Sequence, residues 1–442
     1  MTRKNLVRFL LPILPILLLF SPFAVTAVPT SHATWYVSSA KATGLSGGSC
    51  NIPGFNTISA AVTAANPGDR IIVCSGTYQE QVVITKSLTL TGSGSPTILA
   101  PATMAPDAFG YLNIVTITGS ITASFSGFTV SGPVNVTCNT GIAGNGIFVQ
   151  DGAMAVISGN TIESIHNAHI VQCAAYGTGI MVGRARLDTV GHAMISNNII
   201  SDYQKGGIIV DGTGSTAIIV HNTITGWTAA YQTGLSIQIA QNGIQISRGA
   251  IATVMFNTVS NNQCPIDNVN CGPNLITMSQ ATGILTYGAG TGSTWGTWGT
   301  WGTWGTRGMP YSQESGTTVE SNILTGNDVG LYVQNDTTSQ NFNRISGSTF
   351  AGIVQYDGSG TYTASRNSLA GNPIGIAVVS DGVSEASATT HAGYTGTFTS
   401  VLKDNSFGTD PIKIQAMAVS PGVVILKFDG YTYTISGTVD IS

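Results

Sequence analysis

Short alternations of apolar and polar residues recur along most of this chain, as in Ile208-Ile-Val210 and Ala217-Ile-Ile-Val220, with Gly, Asn, Ser and Thr between them. Runs this brief at period two predict short strands joined by turns. Two marks punctuate the pattern. One is Gly before Ile or Leu, at Gly146, Gly179, Gly207, Gly243, Gly283, Gly330, Gly352 and Gly375. The other is Asn two residues before an apolar side chain, at Asn160, Asn198, Asn222, Asn257, Asn322, Asn343, Asn367 and Asn405. The two sets alternate without exception, and Gly330, Gly352 and Gly375 lie 22 and 23 residues apart, a spacing that fits one solenoid coil. Strands so short cannot stand alone, so neighbouring coils must pair edge to edge around one apolar interior. Asn suits such a turn because it tolerates left-handed backbone and can bond the Asn stacked above or below it.

The pattern Gly-Ile-x-Val followed by Ala-x-Ile-x-x-Asn-x-Ile resembles the repeat of right-handed parallel β-helix proteins of the pectate-lyase-like superfamily. The segment Phe55-Asn-Thr-Ile-Ser-Ala-Ala-Val-Thr-Ala-Ala-Asn-Pro-Gly-Asp69, with Arg70-Ile-Ile-Val-Cys74 after it, is similar to the opening of many such proteins, pectin methylesterases included. Phe55, Ile58, Ala61, Val62 and Ala65 share one helical face, which predicts a short helix capping the first coil. An all-β fold follows, organised as a cap with the first coils over 34–110, repeats over 111–410 and capping strands over 411–442. The later Gln-Asp and Asp-Phe motifs of pectin methylesterases are missing, as are the Asn-Thr-Asp and His-Gly signatures of polygalacturonases, so no family catalytic residue transfers. The scaffold carries lyases, hydrolases, esterases and inert surface proteins alike.

Charged residues make up 8% of the 442, with a net charge of −4. No basic stripe exists for phosphates, so nucleic-acid binding is not expected. Arg3, Lys4 and Arg8 precede the apolar run Phe9–Phe20, with small residues before Ala27 and Ala33. This reads as a secretory signal over 1–33, cleaved after Ala27 or Ala33, since the run is short for a bilayer and holds Pro12 and Pro15. No later segment is long and apolar enough to span, and a secreted monomer is expected. Six cysteines in an exported chain predict disulfides, paired by chain order as Cys50 with Cys74, Cys138 with Cys173, and Cys264 with Cys271.

Loop length gives the remaining clue. From an Asn mark to the next Gly mark is 8 residues for 322 to 330, but 19 for 160 to 179, 21 for 222 to 243 and 26 for 257 to 283. These insertions share one corner, so they should stack as a wall beside the strands that follow, which is where the resemblance implies a sugar cleft. His166, His169, Tyr176, Tyr203, Trp227 and Tyr231 lie in or near them, and rings beside polar groups suit sugars. Strand alternation points Gln150, Asp211, Gln245 and Ser247 outward, with Arg184 and Arg248 near strand ends. Polysaccharide or cell-surface glycan is the expected partner. A uronate lyase would need a cation, for which Lys205, Arg248 and Arg184 are candidates. A glycosidase would need two carboxylates, here Asp202 and Asp211. The rival reading is a non-catalytic structural or adhesion protein. No cofactor is expected, because calcium would want more clustered carboxylates than Asp151, Asp202 and Asp211 supply, and His166 with His169 lack a third ligand. Within an insertion at 287–312, Trp-Gly-Thr repeats four times from Trp295 to Thr306, either as a stacking surface or as slippage in a tolerant loop.

Overall fold

A computed structural model describes residues 32–39, 48–135, 143–167, 177–233, 235, 239–266, 271–276, 278–289, 316–334, 338–356, 361–380, 397–420 and 422–442. From Ala33 onward the chain winds in coils that each lay one strand into each of three sheets. One such coil is Gly144–Gln150, Ala153–Ser158 and Thr161–Glu163, and the next is Thr178–Val182, Gly191–Ser196 and Ile199–Ser201. In that order the strands belong to sheets I, II and III, which hold 12, 14 and 10 strands among the described residues. Strand pairing is parallel until the C-terminal end, where Tyr431–Ile435 and Thr438–Ile441 turn back antiparallel. The protein is a right-handed parallel β-helix, as the repeat predicts.

Register explains why the marks recur. Equivalent residues of successive coils become partners, so Ile147, Ile180, Ile208, Ile244 and Ile284 form one interior column with no exposed surface. Burying each stabilises the stack by about 1.5–3 kcal/mol. The Gly marks are needed for close approach. A Cβ on Gly146, Gly179, Gly243 or Gly283 would stand 2.6 Å from the carbonyl oxygen of the Gly one coil on, a separation that carbon and oxygen do not tolerate.

The Asn marks form a continuous ladder at the corner between sheets II and III. Each side-chain amide donates to the next Asn Oδ1, at 3.0 Å from Asn160 to Asn198, 2.9 Å from Asn198 to Asn222 and 3.0 Å from Asn222 to Asn257. The series continues to Asn405. The left-handed conformation belongs to the residue before each Asn and not to the Asn itself, with φ of 56° at Asn197, 57° at His221 and 58° at Phe256. The Asn is needed for its hydrogen bonds, so the residue type before it varies. Five residues beyond these marks a second, shorter ladder runs, in which Asn262 donates to Asn327 at 2.9 Å and Asn372 to Asp410 at 3.2 Å.

The predicted cap is the helix Ile58–Ala64, which buries Ile58, Ala61 and Val62. Glu80 accepts from the backbone of Ile58 and Ser59 at its N-terminus, and Lys86 Nζ donates to the carbonyls of Val62, Thr63 and Ala65 at its C-terminus. Each charge thus opposes the helix dipole. Two disulfides link Cys50 to Cys74 and Cys264 to Cys271. Cys138, Cys173, residues 1–31 of the expected signal and the Trp-Gly-Thr repeats lie outside the described residues. Among the described residues no helix is long and apolar enough to cross a membrane.

Candidate functional site

Three successive coils meet at the corner between sheets III and I. The first carries the insertion after Glu163, the second only the short turn 202–205, and the third the insertion 226–241. The short turn carries Asp202, and the corner it makes with His166 and Trp227 is termed the notch. Asp202 occupies the left-handed position of that turn at φ 52°, as Ser164 does one coil earlier at 58°, a conformation that Asp accepts more readily than most residues. Its Oδ1 accepts from Trp227 Nε1 at 2.9 Å, and its Oδ2 accepts from Ser164 Oγ at 3.0 Å and faces His166 Nε2 at 3.3 Å. Side chains from all three coils therefore converge on one carboxylate that stays 40% exposed. The Tyr231 ring, 50% exposed, leans on Trp227 with centroids 5.1 Å apart.

Both ring nitrogens of His166 face acceptors, since Nδ1 lies 2.9 Å from the Asn167 carbonyl. Burial pushes the imidazole's pKa down, but the bonds to Asp202 and Asn167 and the charge of Asp202 outweigh it and leave the value raised. The His166 hydrogen bond is the largest influence holding Asp202 below the usual carboxylate range, against the effect of burial and with help from Trp227 and Ser164. The pair is thus held as imidazolium and carboxylate over a wider pH range than either group alone.

Buried glutamines, which sequence reasoning missed, fix this geometry. Gln241 Oε1 accepts from the Trp227 amide at 2.6 Å while its Nε2 donates to the Tyr203 carbonyl at 2.6 Å. Gln204 Oε1 accepts from the Asn167 amide at 2.9 Å, and Gln263 Oε1 from Ala229 at 3.0 Å. Gln204 and Gln241 have no exposed surface. The available signal was position, because each sits where an insertion rejoins the coil or just beyond a corner turn.

Several expected site residues lie elsewhere. Tyr203 sits in the interior, where burial raises its pKa and its hydroxyl donates to Asn262 at 2.5 Å, reaching past the coil of Trp227 to the second ladder. It is a core residue, not part of a binding face. Gln150, Asp211, Gln245 and Ser247 point away from the interior as alternation predicts, but they are covered: Asp211 and Ser247 have no exposed surface, and Gln245 has 4%. Two apolar clusters separate from the main core also involve residues of sheet I, one around Phe148, Met181 and Ile209 and another where Leu275 meets Tyr332 and Tyr356.

The expected catalytic cations are committed as well. Arg248 binds Asp211 through Nε at 2.5 Å and Nη2 at 2.7 Å, and Arg184 Nη1 lies 3.5 Å from the same carboxylate. Burial pushes the Asp211 pKa up, yet the two guanidinium groups hold it below the usual range. Asp202 and Asp211 are therefore not a pair facing one groove. Lys205 is buried with Nζ on the Ala240 carbonyl, and burial lowers its pKa to about 8. His169 and Tyr176 lie outside the described residues. Among those described, no three His, Cys, Asp or Glu side chains come together as a metal site.

The insertion 261–281 is clamped at both ends by one buried carboxylate. Asp328 accepts from the Cys264 amide at 2.8 Å, the Ala281 amide at 3.4 Å and the Thr349 hydroxyl at 2.6 Å. Burial pushes its pKa up to about 6 despite these bonds. Its contribution to stability is fully present below the unfolded value near 4 and is lost as pH rises through about 6. Relative to Asp328→Asn, the wild-type protein is expected to lose about 1 kcal/mol between pH 5 and pH 7. Urea unfolding of both proteins at the two pH values checks this, and equal slopes would refute it.

No protein-family model matches the sequence, and no curated protein matches it. Solved structures do resemble the fold. A GH136 lacto-N-biosidase from Eubacterium ramulus superposes with a TM-score of 0.50 at 12% identity, covering 89% of this chain and 68% of that one. Pectate lyase Pel9A gives 0.45 at 13% identity, covering 88% and 80%. The A-module of the Azotobacter vinelandii mannuronan C-5 epimerase AlgE4 gives 0.41 at 12% identity, covering 84% and 94%. What the first of these shares with the chain is its scaffold.

Proposed function

We propose that this right-handed parallel β-helix is a secreted protein that binds extracellular polysaccharide or cell-surface glycan in the notch of Asp202, His166, Trp227 and Tyr231. The observation that carries the reading is the exposed Tyr231 ring, braced on Trp227 and set beside a half-exposed carboxylate supplied by another coil. Sugars offer both halves of the matching chemistry, C–H faces for the ring and hydroxyl donors for the carboxylate. Two disulfides and the N-terminal signal pattern favour export. A lacto-N-biosidase uses the same scaffold, although a scaffold does not fix a function.

Binding is favoured over cleavage because, of the four catalytic candidates, only Asp202 is substantially exposed. Affinity electrophoresis of the full chain through a panel of polysaccharide gels tests the reading. Retention is expected, and Tyr231→Ala should weaken it about tenfold with an unchanged melting temperature, since that side chain is half exposed. Absence of retention across plant and microbial polysaccharides would leave the structural or adhesion role standing instead. Ultraviolet absorbance from uronate elimination on pectate or alginate would restore the lyase.

A further inference from the structure

Resting on the glycan reading of the notch, we propose that its ligand is a neutral polysaccharide and that polyuronates are disfavoured, because among the described residues the most exposed charged group beside the ring platform is the Asp202 carboxylate. A polyuronate carries a carboxylate on every sugar, and proteins hold such groups with an arginine or lysine that faces the ligand. Here those side chains are turned to other work. Arg184 and Arg248 converge on Asp211 at the opposite edge of sheet I, and neither the carboxylate nor its serine partner Ser247 has exposed surface. Lys205, the cation closest in sequence to Asp202, is 8% exposed with its ammonium on the Ala240 carbonyl. Arg186 is exposed, but its turn joins sheet I to sheet II and lies at the far corner of the coil.

Among the described residues, His166 is the ionisable group in contact with Asp202. Protonated, it is paired with Asp202 at 3.3 Å and the two cancel; neutral, it leaves the carboxylate alone. In neither state does the pair offer a net positive charge. Glu163, half-buried at the strand end before Ser164, adds a second negative charge to the same corner. A carboxylate has about four acceptor positions, and Trp227, Ser164 and His166 use three of those on Asp202. One position remains for a sugar hydroxyl, which donates, whereas a second carboxylate brings only acceptors. The groups facing the notch therefore match a hydroxyl-rich neutral chain lying against Tyr231.

The test compares polymers that differ only in charge. Polygalacturonate and its carboxyl-reduced counterpart are run against the full chain by affinity electrophoresis, beside xylan, mannan and glucan. A neutral polymer is expected to be retained at least about fivefold more strongly than the polyuronate at low salt and at a pH high enough to leave His166 neutral and Asp202 uncompensated, from like-charge repulsion across a few ångströms of wet surface. The gap should narrow in about 0.5 M salt, where the screening length falls to a few ångströms, and again in Asp202→Asn. The salt series keeps the test decisive if that variant folds poorly. Equal or stronger retention of the polyuronate, still weakened by Tyr231→Ala, would overturn the charge argument and leave the glycan site standing. No retention of any polymer would instead remove the glycan reading itself, and this inference with it.

Discussion

Asn257→Ala is expected to destabilise the protein by about 3 kcal/mol, the sum of two buried backbone groups left without partners. Asn257 Oδ1 accepts from the Asn222 backbone amide and from its side chain, both at 3.0 Å, and Nδ2 donates to the Ile219 carbonyl at 2.9 Å and to Asn322 Oδ1 at 3.0 Å. Removal strips the Asn222 amide and the Ile219 carbonyl of these partners at a buried corner. Asn257→Asp should be worse at neutral pH, because an acceptor would then face Asn322 Oδ1 and a charge would be buried. It should recover toward the alanine value in acid. Denaturant midpoints for both variants at two pH values check the ranking, and an aspartate variant no worse than alanine at pH 7 would refute the ladder as described.

The second large effect is expected at Gly207→Ala, at about 2–3 kcal/mol from overpacking. Its Cβ would lie 2.5 Å from the Gly243 carbonyl oxygen, 2.7 Å from Ile224 Cγ2 and 3.2 Å from Tyr203 Cε1. The first is the backbone of the next coil, held by sheet I, so it cannot swing away as a side chain might. Gly437→Ala is the matched control, since no atom lies within 4 Å of its added Cβ, and it should change stability by less than about 0.5 kcal/mol. Equal effects at the two positions would refute coil spacing as the role of Gly207, since the lower unfolded-chain entropy of alanine raises stability at either site.

These two positions show what was legible in the sequence. Repetition made the Gly and Asn marks visible, and with them the coil length and fold class, because a solenoid writes the same local solution many times. Their physical reasons were only partly visible. Gly207 reads as a turn residue until the neighbouring coil is placed beside it, and the left-handed residue proved to be His221 or Phe256 rather than the Asn that follows. The second ladder escaped notice because its positions are mixed, with Ile165, Tyr203, Trp227 and Ser348 standing among Asn262, Asn327 and Asn372. That mixture misplaced Tyr203 on the surface.

Alternation places Asp211 off the interior face but says nothing of what encloses it, since Arg184 and Arg248 reach it from neighbouring coils. The convergence of Ser164, His166 and Trp227 on Asp202 was likewise hidden. It depends on three coils stacking at one corner, with separations of 38 residues from Ser164 to Asp202 and 25 from Asp202 to Trp227.

Stacking in register is what unites the ladders, the notch and the expected effects, and spin-label distances measure it directly. Thr129 and Ser368 occupy one outward column of sheet III, linked through Thr161, Ile199, Thr223, Thr258, Ile323 and Arg344. Labels at the two ends, seven strand spacings apart, should give a narrow distribution centred near ~34 Å. A broad distribution, or a centre displaced by more than two strand spacings, would contradict the parallel winding from which the site is built.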